Sequence, residues 1–297
     1  MSESVEISLT AVSAVGATVR PRWYFYPGVG RRDMPPLDLG LGLGTSGLDD
    51  PTTCTETVVT ALEAGYRHVD TAQMYDNEAA VGDGIAAAGV DRDEVVVATK
   101  VHPENLAPDD VRETAHASLD RLGLDRVDLL YVHWPMGAYE PAATLPVFDE
   151  LRAEGVTDHV AVSNFTPDLL REARAILDSP IAAHQVECHP RFKQSTLREL
   201  AAEFDHHLVG YSPLARGDLL DDPTLSAIAD RTDTTTAVVA LAWALERGVV
   251  PIPKATGDHV TENLAALDVT LSETELETID AMTDGDRQID PDDAAWN

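Results

Sequence analysis

Four side chains of reactive type sit where strand-like runs end. Asp70 precedes Tyr75 by five residues within Arg67–Glu78, where a short apolar run meets a turn. Lys100 ends the run that starts at Val95, and His133 ends the run that starts at Asp128. A carboxylate and a phenol so placed need a cation between them and a group to protonate. The lysine is such a cation, and the imidazole adds a further polar group. If separate strands deliver all four to one rim, they form a proton-transfer centre.

Those runs belong to a series. Short Val/Ile/Leu-rich segments recur near 41–44, 67–71, 95–100, 127–132, 159–163, 182–187, 207–212 and 249–253, each followed by turn residues and a helix. Helices are expected at 54–64, 77–88 and 108–122, the last with Val111, Ala115, Leu119 and Leu122 on one face. Continuous apolar strands alternating with helices define a parallel sheet covered by helices. Eight such units in 297 residues predict an α/β fold, the (β/α)8 TIM barrel, which needs about 250 residues. Barrel enzymes carry their reacting groups at the C-terminal strand ends. Polar residues fall there in succession: Asp70, Lys100, His133, Ser163 with Asn164, Gln185, Tyr211 with Ser212, and Lys254.

After the eighth strand a helix is expected near 258–267, then another opened by Ser272 with Glu275 three residues on, a capping box. A polar tail from Asp284 to Asn297 either crosses the rim or frays. Residues 1–33 hold four arginines against three acids and little helical periodicity. They read as a poorly ordered extension or a misassigned start with Met34 as first residue, a hairpin around Trp23–Tyr26 being the alternative. Residues 34–297 read as a single barrel.

The formal charge of −31, from 52 acidic against 21 basic side chains, disfavours nucleic acids and anionic membranes as partners. The acids are spread over helix faces, and Lys100, Lys193 and Lys254 are the only lysines. A dispersed acidic surface nearly free of lysine resembles proteins of salt-accumulating halophiles, in which self-repulsion is screened. Two cysteines, Cys54 and Cys188, suit a reducing compartment. No apolar run reaches the roughly 18 residues of a membrane span, and no basic-then-apolar leader is legible. The expected location is the cytoplasm, and the expected state a monomer.

The sequence resembles the aldo-keto reductase family from Leu37 to about His259. The matching stretches are Asp70–Glu78, Ala98–Lys100, Tyr131–Pro135, Val162–Phe165, His184–Pro190, Gly210–Leu214 and Ile252–Lys254, in that order. The resemblance implies reduction of an aldehyde or ketone by NADPH, with NADH as a second cofactor and a small carbonyl compound as partner. It makes Tyr75 the general acid, with Lys100 lowering the phenol's pKa and Asp70 holding Lys100 charged. His133 would donate to the carbonyl oxygen, and Trp134 would line the substrate site beside Tyr75 and His133. Tyr211 would stack on the nicotinamide while Ser163, Asn164 and Gln185 hold its carboxamide. Thr45, Asp70, Ser212, Leu214, Lys254, Thr256, His259 and Asn263 complete the implied cofactor contacts.

Plainer readings stay open beside these. The plainer alternatives are Asp70 as a helix cap, Tyr75 as a rim tyrosine, Lys100 as a solvated strand end, and His133 and Tyr211 as packing. At the level of function, the rivals are a non-catalytic nicotinamide-binding sensor and an aldolase using Lys100 as a Schiff base. Gly42–Gly47 spells G-x-G-x-x-G, but Asp49-Asp50-Pro51 separates it from the helix that a dinucleotide fingerprint requires. It reads as a first strand and loop. The ten histidines show no chelating spacing, so no metal is expected. In the family the loop after strand eight reads the adenosine 2′-phosphate with lysine, a small hydroxylated residue and arginine. Here Lys254 and Thr256 remain, with His259 about where the arginine would stand. Histidine makes no bidentate phosphate contact, so NADPH binding with weakened discrimination against NADH is expected.

Overall fold

The computed structural model describes residues 37–296. The expected extension over 1–33 lies outside the described residues. Eight strands, β1 (Leu43–Gly44), β2 (His68–Asp70), β3 (Val96–Val101), β4 (Val127–Val132), β5 (Thr157–Ser163), β6 (Ile181–Glu187), β7 (His207–Tyr211) and β8 (Val249–Pro251), form one sheet in chain order. Every neighbouring pair is parallel. The sheet closes where Gly42 N–H donates to the Pro251 carbonyl (3.0 Å) and Gly44 N–H to the Pro253 carbonyl (3.1 Å).

That seam accounts for the first two glycines of the G-x-G-x-x-G string. A Cβ on Gly44 would stand 2.7 Å from the Ile252 carbonyl oxygen, and one on Gly42 would stand 2.5 Å from His68 Nδ1. The glycines let β1 lie against β8, a closure role rather than a phosphate cradle. β8 is shorter than its apolar run because Pro251 and Pro253 have no N–H to give.

Among the described residues ten helices accompany the sheet: α1 (Pro51–Ala64), α2 (Glu78–Ala87), α3 (Pro108–Leu122), α4 (Pro141–Glu154), α5 (Pro167–Ile176), α6 (Ser195–Phe204), α7 (Pro223–Thr232), α8 (Thr236–Glu246), α9 (Asp258–Glu262) and α10 (Glu273–Asp280). Proline opens α1, α3, α4, α5 and α7. At that position its missing N–H costs nothing and its fixed φ suits a helix, so these helices start sharply after their loops. One helix per strand fails twice: α7 and α8 both lie between β7 and β8, and α9 and α10 both follow β8. The expected 258–267 helix ends early as α9 and passes into a tighter turn over Asn263–Leu267.

Alternation along the strands sorts two cores. Leu39, Ala98, Leu129, Tyr131, Ala161, Ala183, Val209 and Ile252 cluster together, while Val69, Val97, Leu130, Val132, Val160, Val162 and Leu208 join the helices in another. Strand side chains alternate faces with period two. Lys100, His133, Ser163, Gln185 and Tyr211 each lie two residues beyond a member of the first cluster. They therefore continue the inward rows of the barrel up to its rim.

Candidate active site

The centre starts from β2 and β3. Lys100 and Asp70 are fully buried, and their side chains form a direct ion pair. Lys100 Nζ also donates to the Thr71 carbonyl (2.9 Å) and to the Tyr75 hydroxyl (3.2 Å). Gln185 Nε2 donates to the second Asp70 oxygen (2.7 Å), so β6 holds the carboxylate that holds the lysine. The His133 ring meets the Tyr75 ring edge-on, with centroids 5.7 Å apart. The four residues named from the sequence thus stand together at one mouth.

Electrostatics assigns their charge states. Burial alone would lower Lys100, but the Asp70 carboxylate and Tyr75 outweigh it and raise its pKa, which keeps it an ammonium. Burial raises the Tyr75 phenol above its ordinary value; Asp70 adds to the rise, while Lys100 and the Ser46 hydroxyl oppose it without cancelling it. The net direction differs from the lowering expected from the lysine alone, because desolvation of a phenolate is the larger influence. The phenol therefore keeps its proton at neutral pH, while the adjacent ammonium stands ready to stabilise the anion left by proton transfer. Burial holds His133 well below its ordinary value, with Lys100 and His102 adding to the fall. It is a neutral imidazole with one N–H to donate.

A second cluster adjoins the first. Asn164 adopts a left-handed backbone (φ 64°). Its Nδ2 donates to the His133 carbonyl (2.9 Å) and to Ser163 Oγ (3.0 Å), and its Oδ1 accepts from the Tyr211 hydroxyl (2.9 Å). Ser163 accepts from Asn164, which leaves its own O–H to donate. A half-buried aromatic ring beside these groups suits a flat heterocycle carrying a carboxamide. Thr45 lies just below, its Oγ1 donating to the Asp70 carbonyl (3.0 Å). Its hydroxyl is thus committed to β2. Ser212 is also left-handed (φ 48°), and Leu214 packs on the outer core.

The remaining predicted residues lie across the seam. Lys254 is exposed, and its Nζ would be 3.3 Å from a Cβ on Gly47, whose φ is 75°. Thr256 and His259 are exposed, while Asn263 is buried. His259 Nδ1 is 2.7 Å from Glu262 Oε2, so its ring already faces a carboxylate.

The tail crosses the rim. Glu187, at the end of β6, accepts from the Gln288 N–H (2.7 Å) and the Ile289 N–H (2.9 Å). Lys193 Nζ donates to the Met282 carbonyl (2.7 Å). Beyond these ties the Trp296 ring reaches Trp134 at 5.7 Å, and Arg287 lies 3.8 Å from the Trp296 ring. A cavity of about 470 Å3 under the tail is lined by residues that include Asn164, Phe192, Arg287 and Trp296. Sequence reasoning missed Glu187, Gln73 and Ser46 as parts of this region. Glu187 lies within a stretch already singled out, two residues past Gln185, and that period-two spacing on β6 was its one available signal.

A (β/α)8 barrel with a phenol, an ammonium, a carboxylate and an imidazole at its C-terminal mouth, beside a site suited to a flat amide-bearing ring, defines a class of nicotinamide-linked oxidoreductases. The family model for the aldo/keto reductase family matches residues 38–284. An aldo-keto reductase of Mycobacterium avium is 40% identical over 253 residues, covering 84% of this chain and 87% of that one. Among solved structures, a protein assigned as a 2,5-diketo-D-gluconic acid reductase B superposes with TM-score 0.83 at 34% identity, covering 86% of this chain and 92% of that one. The aldo-keto reductase of Bombyx mori in complex with NADP gives TM-score 0.78 at 30% identity, covering 84% and 91%. The chain belongs to the aldo/keto reductase family. It is an NAD(P)H-dependent oxidoreductase that reduces an aldehyde or ketone carbonyl to an alcohol.

Proposed function

We propose that Tyr75 is the general acid of this carbonyl reductase and that Asp70, Lys100 and His133 complete its catalytic group. Bound NADPH supplies the hydride. Tyr75 donates its proton to the carbonyl oxygen as negative charge develops there. Lys100 stabilises the phenolate that results, Asp70 with Gln185 fixes Lys100, and His133 donates a hydrogen bond that orients the carbonyl. Trp134, faced by Trp296, forms the substrate wall. Tyr211, Ser163, Asn164 and Gln185 receive the nicotinamide, with Thr45, Ser212 and Leu214 alongside them. The contact that carries this reading is the Lys100 Nζ to Tyr75 hydroxyl hydrogen bond of 3.2 Å. A sensor that only binds nucleotide has no use for it. Mixing enzyme-bound NADPH with an aromatic aldehyde should oxidise the cofactor in a single turnover; binding without oxidation would favour the sensor.

Lys254, Thr256, His259 and Asn263 are assigned to the adenosine end of the cofactor. Discrimination is weak in this reading, because His259 already faces the Glu262 carboxylate and an imidazole makes no bidentate contact with a 2′-phosphate. The expected kcat/KM values for NADPH and NADH are comparable. A preference for NADPH above about a hundredfold, roughly 2.7 kcal/mol, overturns the assignment.

The acidic surface supports a cytoplasmic, salt-adapted enzyme. Of its three lysines, Lys100 and Lys193 are buried and Lys254 is exposed, so the open surface is left almost entirely to carboxylates and arginines. Residues 34–297 act as one unit in this reading. A monomer is supported by the exposure of large apolar side chains only at Met74 and Leu220 among the described residues. Molar KCl screens carboxylate repulsion to within about 3 Å, so the melting temperature should rise from dilute buffer to molar KCl. A flat or falling dependence counts against salt adaptation.

A further inference from the structure

Tyr75 differs from Asp70 and Lys100 in lying outside the strands. It closes a single 3-10 turn, Gln73–Tyr75, after which Asp76 turns left-handed (φ 52°). A lone turn of this kind is weakly held by its own geometry, and the Tyr75 N–H donates only back to the Ala72 carbonyl (3.1 Å).

Gln73 ties the turn down. Its Oε1 accepts from the His102 N–H (2.9 Å) and from Asn105 Nδ2 (3.0 Å). Its Nε2 donates to the Thr114 carbonyl (3.1 Å) and to Ser118 Oγ (3.1 Å). The His102 N–H can only donate and the Thr114 carbonyl can only accept, so the amide has a single orientation. All four partners follow β3: His102 and Asn105 stand in the loop just past Lys100, and Thr114 and Ser118 lie on α3. Arg121 extends the network, donating to Ser118 Oγ (3.0 Å) and to Glu78 (2.8 Å). Glu78 in turn accepts from the hydroxyl of Thr99, the residue beside Lys100.

We infer that Gln73 is a positioning residue for the proton donor: it fastens the turn that carries Tyr75 to the segment that follows Lys100, and so keeps phenol and ammonium in hydrogen-bonding reach. This rests on the reading of Tyr75 as general acid. The charged and titratable groups around the phenol are Asp70 from β2, Lys100 from β3, His133 after β4 and Tyr211 from β7, joined by the Ser46 hydroxyl after β1. Gln73 is none of these, so its loss reaches the phenol only through position.

The test is the pH profile of single-turnover reduction of an aromatic aldehyde by bound NADPH, for wild type, Gln73→Leu and Gln73→Glu. In Gln73→Leu the phenol drifts from the ammonium that stabilises its anion. The rate at neutral pH should fall about ten- to thirtyfold. The alkaline limb, where the phenol ionises, should move up by about one pH unit. The NADPH dissociation constant, read by cofactor fluorescence, should stay within about twofold, as expected for a change confined to proton donation. Gln73→Glu keeps the two accepted bonds and loses the two donated ones, so it should fall between. An alkaline limb at its wild-type pH in the variants overturns the inference whatever happens to rate or melting temperature, since that pattern marks support of the fold alone. Weakened NADPH binding overturns it too. Tyr75→Phe, run alongside, separates the two ideas. If it leaves the rate intact, the general-acid reading itself is wrong; if it slows the reaction while the limb holds in the Gln73 variants, only the positioning role is.

Discussion

Tyr75→Phe is expected to slow single-turnover carbonyl reduction by about a thousandfold, roughly 4 kcal/mol of transition-state stabilisation, within the range seen for general acids. The phenyl ring keeps its edge-on contact with His133, whose centroid lies 5.7 Å away. Lys100 keeps Asp70 and the Thr71 carbonyl as acceptors. What disappears is the hydroxyl that meets Lys100 Nζ at 3.2 Å, and with it the only proton in that position. Loss of one hydrogen bond costs about 1 kcal/mol of stability, so the variant should fold. It should also bind NADPH, because Tyr211, Ser163 and Asn164 are untouched. Fluorescence titration and stopped flow read the two halves separately. Reduction persisting within tenfold of wild type would remove Tyr75 from the chemistry.

Lys100→Met should abolish turnover for a related reason, and it should destabilise the fold as well. The Lys100 side chain is 0% exposed and that of Asp70 2%. Removing one member of a buried pair strands the other charge at a cost of about 3–5 kcal/mol. Gln185 still donates to Asp70, which offsets part of it. The double variant Asp70→Asn/Lys100→Met removes both charges while the asparagine carbonyl still accepts from Gln185, so most of the stability should return. Activity should not return, since no cation then stabilises the Tyr75 phenolate and only the neutral Ser46 hydroxyl is left beside it. Urea unfolding and single-turnover rates on the single and double variants read the two effects independently. A double variant that regains activity together with stability would show that Lys100 serves only the fold.

The salt and cofactor experiments probe looser features, because surface charge and the residues around Lys254 act through solvent. The centre itself is buried at Asp70, Lys100 and His133. A two-residue strand, β1, joins it to that looser edge, and the glycines at 42 and 44 are what allow the join.

Much of this was legible along the chain. Eight apolar runs separated by helical stretches gave the barrel. Polar residues ending successive runs gave Asp70, Lys100, His133, Asn164, Gln185 and Tyr211 as a set. The physical reason is local: a strand shows its inward face every second residue, so an inward row that is apolar at Ala98, Ala161, Ala183 or Val209 and turns polar at the next inward position marks the mouth. Lysine scarcity sharpened Lys100 in the same way. Tertiary structure alone decided what those residues hold. Gln185 grips Asp70 across 115 residues of chain, Glu187 fastens the tail more than 100 residues away, and Gln73 pins its own turn to α3. It also decided that desolvation outweighs Lys100 in setting the Tyr75 phenol. Hydrogen-bond partners and burial depend on distances through space, and closure of the sheet sets those distances between segments whose local patterns carry no record of one another.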